Sequence, residues 1–249
     1  MSIHFQDRVA IVTGAGGGLG RQHALALARR GAKVVVNDLG TADAVADEIR
    51  AAGGMALANN ASVTDEAAVA AMVKQAVDTW GRVDILVCNA ASNPYYGPMA
   101  GLADEQFRKI LDNNVVANHW LISFAVPQMI ARRDGSIIIV SSIAGLRGTP
   151  VIGAYGISKA ADMQLARNLA HEFGPHNVRV NCIAPGLIKT DFAKALWEDA
   201  ELLAQRNATT PLRRIGEPDE IAGAAVFLAS KAGSFMTGQS LVIDGGVTI

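Results

Sequence analysis

Tyr155 and Lys159 stand four residues apart in a stretch of helical periodicity, so one face of that helix presents both side chains. A phenol beside an ammonium makes a pair able to move a proton. Free tyrosine, with a pKa near 10, is a poor base at neutral pH. A cation about 5 Å away at an effective dielectric of about 20 favours the phenolate by roughly 3 kcal/mol, or about 2 pKa units. A group tuned in this way gives a proton to the alkoxide formed when a carbonyl accepts hydride, and takes one from an alcohol when hydride leaves. With three tyrosines in the chain such a pair also arises by chance, so its surroundings must decide. Ser142 lies thirteen residues earlier, just past the apolar run 137–140. That is the carboxyl edge of an expected strand, where α/β sheets place their ligands and where a helix start can meet it. Asn114 falls in the middle of a long helical stretch, where an amide that breaks regular backbone pairing is able to orient a water.

A second group of residues has the chemistry of a phosphate cradle. Thr13-Gly14-Ala15-Gly16-Gly17-Gly18-Leu19-Gly20 follows the first expected strand and enters a helix. The helix N-terminus offers free N–H groups and the positive end of its dipole to a pyrophosphate, and the missing Cβ atoms let the backbone approach closely. An ordinary tight turn is the alternative, against which the strand before and the helix after argue. Eighteen residues past Gly20, at the end of the second expected strand, Asp38 is placed to accept hydrogen bonds from both hydroxyls of an adenosine ribose. The alternative there is a loop acid opening a turn before Gly40. A 2′-phosphate would meet a like charge, at roughly 3 kcal/mol per unit pair before screening. Asn37 and Leu39 flank Asp38 and no basic residue stands in the glycine turn, so the expected cofactor is NAD rather than NADP.

The elements that must position these residues follow from hydrophobic periodicity. Short β-branched runs at 8–12, 33–37, 55–58, 84–88, 136–140, 179–182 and 240–243 alternate with helical patterns near 19–30, 41–52, 65–79, 104–131, 153–173 and 217–229. Several strands lack polar alternation, as strands covered on both faces do. The expectation is an α/β fold: a single doubly wound parallel sheet of about seven strands, Rossmann-like, forming one domain over 1–249. Gly31, Gly53, Gly81, Gly135 and Gly174 stand where helix C-caps are wanted. Ile157, Ala161, Leu165, Leu169 and Phe173 recur every four residues, a stripe suited to core or to subunit contact. The segment 186–214 shows no clear order and reads as an excursion over the site, with a substrate lid at about 187–214. Phe192, Leu196 and Trp197 would share one side of a short lid helix, lining an apolar pocket or simply packing the lid. Tyr95, Tyr96, Arg147 and Ile152 fall on loops at the same edge, Arg147 as an exposed loop residue or a reader of carboxylate.

The nucleotide turn, Asn89-Ala90-Ala91, Asn114, Ser142, Tyr155 with Lys159, Pro185-Gly186-Leu187-Ile188-Lys189-Thr190 and the ending 237–246 together resemble the short-chain dehydrogenase/reductase family over nearly the whole chain. The resemblance implies that Tyr155 transfers the proton and that Lys159 lowers its pKa and binds the nicotinamide ribose. It gives Ser142 the substrate oxygen, with Ser141 as the alternative, and Asn114 a water in a relay to Lys159. It sets the dinucleotide against Gly14, Gly18, Leu19, Gly20, Asp38, Leu39, Ser62, Val63, Asn89, Ala90, Pro185, Gly186, Ile188 and Thr190. Two departures stand out: Ser62 where the family usually has an acid touching adenine, and Ala91 where it usually has glycine, which adds a methyl beside the cofactor. The implied activity is hydride transfer between NAD and a secondary alcohol/ketone pair. The alternatives are an NADPH-dependent 3-oxoacyl or carbonyl reductase and, from another class, a non-catalytic dinucleotide-sensing module. The family also implies a homotetramer built through the long fourth and fifth helices and the carboxyl-terminal segment.

Composition narrows the partners. Half of the 249 residues are hydrophobic, 18% are charged, and 22 basic residues nearly cancel 23 acidic ones. Such a balance offers no electrostatic footprint for nucleic acid or an anionic membrane. Cys88 and Cys182 are too few for a disulfide framework or a zinc site and sit in apolar runs, as buried free thiols do. Asp191 and Glu198 lack companions, so no metal is expected. Neither a signal-like start nor about 18 consecutive apolar residues is found, and the expectation is a cytoplasmic protein. His119, beside Asn118 and Trp120, reads as a packed or interface histidine, and His171 and His176 as helix-end caps.

Overall fold

The β-branched runs pair into one sheet because the central ones are apolar on both faces and require cover on both. The computed structural model describes residues 3–249, in which β1 (Val9–Thr13), β2 (Lys33–Asn37), β3 (Met55–Asn59), β4 (Ile85–Cys88), β5 (Gly135–Val140), β6 (Val178–Pro185) and β7 (Ser240–Ile243) form a seven-stranded sheet in the order β3-β2-β1-β4-β5-β6-β7. Every pairing is parallel. Alternate residues along a strand enter opposite layers. Ala10, Val12, Val34 and Val36 pack with α1 (Gly18–Ala28), α2 (Ala42–Ala51) and α8 (Pro218–Ala229). Val9, Ile11 and Val35 pack with α3 (Glu66–Trp80), α5 (Ala117–Arg132) and α6 (Gly153–Phe173). Each such aliphatic side chain contributes roughly 1.5–3 kcal/mol on burial, and the sheet is held mainly by these two layers.

The strand order reverses between β1 and β4, whose connections leave the sheet in opposite directions. At such a switch point the loops part and open a crevice at the carboxyl edge. The opposite edge is closed by charge: Asp84, 1% exposed, pairs with Arg8, Arg82 and Arg132 and accepts from the Val9 N–H at 2.9 Å.

Several expectations change in detail. The long helix expected at 104–131 is α4 (Asp104–Leu111), a π turn (Asp112–Val116) and α5 in succession. Gly31, Gly53 and Gly81 do adopt positive φ, but Gly135 opens β5 and Gly174 is right-handed. Arg133 and Asn177 take the left-handed positions instead. The segment 186–214 holds more order than expected, with a 3-10 turn at Asp191–Leu196 and α7 (Ala200–Thr209), N-capped by Asp199. Of the four-residue stripe on α6, Leu169 and Phe173 are buried but Ile157 is 47% exposed. His119 is exposed rather than packed. Both cysteines are buried free thiols, and no group of metal-ligating residues forms among the described residues.

Candidate functional site

The glycine turn is shaped by what a side chain would strike. A Cβ on Gly20 would lie 2.1 Å from the Gly14 carbonyl oxygen, and one on Gly16 would lie 1.8 Å from Thr41 Oγ1. Gly14 and Gly18 have φ of +60° and +50°, whereas Gly17 faces open space. The turn is fastened from the neighbouring strand: Asn89 donates through Nδ2 to the carbonyls of Thr13 (2.9 Å) and Gly14 (3.1 Å), and Thr13 Oγ1 accepts from the Asn89 and Ala90 N–H groups. Helix α1 then begins with no side-chain cap, leaving its N–H groups free for an anion. Asp38 reaches back over this turn, accepting from Gly16 N (3.3 Å), Gly40 N (3.2 Å) and Thr41 Oγ1 (3.0 Å).

A cleft of about 1960 Å³ runs from this turn across the carboxyl ends of the strands. Gly14, Gly18, Leu19, Asp38, Leu39, Ser62, Val63, Asn89, Ala90, Pro185, Gly186, Ile188 and Thr190 all line it, and Ala91 does so as well. Gly20 does not, because it packs beneath the turn. None of the segments 13–20, 37–41 and 61–64, which carry the glycine turn, Asp38, Ser62 and Val63, contains a lysine or arginine. An extended dinucleotide therefore fits these residues: a backbone cradle that side chains would fill, a helix N-terminus, and a carboxylate one strand away.

Ser142, Tyr155 and Lys159 line the far half of the same cleft. Lys159, 2% exposed, sets its Nζ 5.6 Å from the centre of the Tyr155 ring and donates to Val140 O (2.9 Å) and Asp162 Oδ2 (3.0 Å). Ser142 Oγ caps a short 3-10 turn by accepting from Ala144 N, and the hydroxyl faces the phenol. Ser141 is otherwise engaged, donating to the Lys159 carbonyl at 2.7 Å. Burial pushes the Tyr155 phenol above its ordinary value; Lys159 pulls it down, as expected of the cation, and so does the Ser142 hydroxyl, but burial outweighs both. Burial draws Lys159 towards the neutral form, and Asp162 and Tyr155 more than reverse this, so the ammonium ends above its ordinary range.

Asn114 is fully buried in the π turn and does not line the cleft. Its Oδ1 accepts from Ser92 N at 2.8 Å, and its Nδ2 donates to Ser92 O (3.1 Å) and Ser158 Oγ (2.9 Å). The side-chain amide is thus satisfied within the protein, and it ties the loop after β4 to α6. Its carbonyl accepts from Asn118 Nδ2 at 2.6 Å, and Asn118 donates also to Asp162 Oδ1 at 3.0 Å. Asp162, Asn118, Ser92 and Ser158 escaped sequence reasoning, although two of them carried a signal: Asp162 lies seven residues past Tyr155, and Asn118 four past Asn114, each on the same helix face.

On the lid, Phe192 leans over the site with its ring 5.9 Å from that of Tyr155, and Leu196 lines the cleft. Trp197 packs the lid instead: its indole N–H donates to Thr190 O at 2.9 Å, and Lys189 sits over its ring. Tyr96, Arg147 and Ile152 line the cleft mouth, while Tyr95 donates to Pro98 O.

Comparison with known proteins agrees with this geometry. Residues 14–248 match the family model described as enoyl-(acyl carrier protein) reductase. The chain is 40% identical over 247 residues to dehydrogenase/reductase SDR family member 4 of Bos taurus, covering 96% of this chain and 87% of that protein. It is 38% identical over 250 residues to the 7alpha-hydroxysteroid dehydrogenase of Escherichia coli (strain K12), covering 98% and 96%. Among solved structures, a 7 alpha-hydroxysteroid dehydrogenase complexed with NADH and 7-oxo glycochenodeoxycholic acid superposes with a TM-score of 0.94 at 38% identity, covering 98% and 95%. A short-chain type dehydrogenase/reductase from Mycobacterium ulcerans gives 0.94 at 35%, covering 98% and 91%. With its nucleotide cradle, its Tyr155–Lys159 pair and relatives matching nearly end to end, the chain belongs to the short-chain dehydrogenase/reductase family and is an NAD(P)-dependent oxidoreductase of alcohols and ketones.

Proposed function

We propose that this oxidoreductase uses NAD and interconverts a small or medium, mostly apolar secondary alcohol with its ketone. When bound, the nicotinamide supplies or accepts the hydride. Tyr155 gives the proton to the substrate oxygen, or takes it away, from a position facing Ser142, whose hydroxyl hydrogen-bonds that same oxygen. Lys159 keeps a positive charge beside the phenol, opposing the cost of burying a phenolate, and offers a donor to the nicotinamide ribose. Asn114 acts by fixing Ser92 and Ser158 rather than by contact with substrate. Phe192, Leu196 and Ile152 give the pocket an apolar wall, and the segment 187–214 serves as its lid within a single domain. The observation that carries this reading is the convergence of Ser142, Tyr155 and Lys159 on one cleft with the glycine turn and Asp38.

Asp38 supports NAD because a 2′-phosphate would lie against its carboxylate, with no lysine or arginine in the segments 13–20, 37–41 and 61–64 to offset it. The relative solved with NADH points the same way. A panel of secondary alcohols and ketones, including a 7-hydroxysteroid, followed at the reduced-nicotinamide absorbance with either cofactor, tests the proposal. NAD should be preferred at least about tenfold in kcat/KM, which needs about 1.4 kcal/mol. Equal use of both cofactors, or preference for NADPH with 3-oxoacyl substrates, contradicts it; NAD binding without turnover across the panel would make the chain a dinucleotide-sensing module. We propose further that the chain assembles as a homotetramer through α5 and α6, supported by the exposure of Phe124 (37%) and Ile157 (47%) on those helices.

A further inference from the structure

Asp162 is a carboxylate with no exposure at all, one turn below Lys159 on α6. A buried carboxylate is costly unless charge and hydrogen bonds meet it, and here both do. Oδ2 takes the Lys159 ammonium at 3.0 Å, and Oδ1 takes the Asn118 amide at 3.0 Å. Asn118 is itself held by the carbonyl of Asn114 in the π turn, so the acid is braced from a second helix. Lys159 is as deeply buried, and its other partner is the neutral Val140 carbonyl. Without a counter-charge, a lysine in such surroundings loses its proton by several pH units below its ordinary value.

We propose that Asp162 is a positioning residue: it keeps the Lys159 ammonium charged and pins it beside the Tyr155 ring, so that the cation opposing the burial of the phenolate survives its own burial. This rests on the reading of Tyr155 as the acid/base. The titratable groups packed around the pair are few. On α6 itself they are Tyr155 and Lys159. From the sheet come Cys182 of β6, whose Sγ donates to the Asp162 carbonyl at 3.5 Å, and Cys88 of β4. Burial pushes both thiols up, so they stay neutral, and Arg167 of α6 pulls on the Cys182 thiol alone. Burial pushes the Asp162 carboxyl above its ordinary value against the downward pull of Lys159 and Asn118, and Asp162 is the acid in direct contact with the Lys159 ammonium.

In Asp162→Asn the ammonium loses its counter-charge, deprotonates within the working pH range and no longer assists the phenol. The acid limb of kcat for alcohol oxidation should then move to higher pH by at least about one unit, which is roughly a tenfold loss of kcat on that limb, with KM for NAD changed less than about threefold. Titration of Lys159 by the NMR signal of its 13C-labelled Cε, in wild type and variant, reads the same event without turnover and should show the ammonium lost at lower pH. If Asp162→Asn does not fold, Asn118→Ala, which frees one carboxylate oxygen, should give a smaller shift of the same sign. A profile that superimposes on the wild type, or one displaced to lower pH, overturns the proposal. Tyr155→Phe measured alongside separates the two ideas. An active Tyr155→Phe removes the acid/base reading and the inference with it, whereas an inactive one beside an unmoved Asp162→Asn profile removes the inference alone.

Discussion

Tyr155→Phe deletes one oxygen and leaves the ring in place against Phe192, so it separates proton transfer from packing. Turnover should fall at least about a hundredfold, the ordinary scale for losing a positioned acid/base, while the affinity for NAD measured by fluorescence titration stays within about threefold. Retained turnover would take Tyr155 out of its role. Asp38→Asn keeps a hydrogen-bonding side chain near Gly16 but removes the charge, so kcat/KM with NADP should rise and the discrimination between cofactors should narrow below about threefold. Unchanged discrimination would move the preference elsewhere in the cleft. The residues behind these two predictions were legible because type and short spacing announced them. Asp162 was not, since an acid seven residues past a tyrosine reads equally well as a solvated helix position until burial is known.

The helices carry the clearest differences between expectation and structure. A stripe drawn at steps of four residues advances about 400° per step on a helix of 3.6 residues per turn, so five positions drift by roughly 160°. Ile157 accordingly turns outward while Leu169 and Phe173 face the core. The π turn at 112–116 was foreshadowed by Asn114 as a residue that disturbs regular pairing, yet its geometry depends on Ser92 and Ser158, which come from other elements. On α1, His23 is fully buried and neither ring nitrogen has a hydrogen-bond partner. Burial lowers its pKa to about 4 from an ordinary 6.5. Between those values the unfolded chain binds more protons than the folded one, so the stabilisation is complete above about pH 6.5 and is lost as pH falls towards 4. Urea unfolding should show about 2 kcal/mol lost between pH 7 and pH 5 through this residue, and His23→Leu should lose that much less over the same interval. Equal pH dependence in the two proteins would show that His23 is protonated in the folded state.

At the level of the whole molecule, the exposed apolar side chains of α5 and α6 set the assembly prediction. Light scattering should give about four times the chain mass, and replacing Ile157 by a charged residue should shift the population to smaller species without unfolding the monomer. A wild-type chain that scatters as a monomer refutes the tetramer. No described helix is long and apolar enough to cross a membrane. The alternation of strand and helix, the glycine turn, Asp38 and the Tyr155–Lys159 pair could be read from the chain itself, because each is a short-range pattern: a period of 2 or 3.6, or a spacing of a few residues. Tertiary structure alone decided that Asn118 and Asp162, 44 residues apart, would meet beneath Lys159. It also decided that Gly20 would pack under the turn instead of facing the cleft, and that burial would raise the Tyr155 phenol against its neighbouring cation. Desolvation and long-range contact depend on the path of the whole chain, which no local pattern encodes.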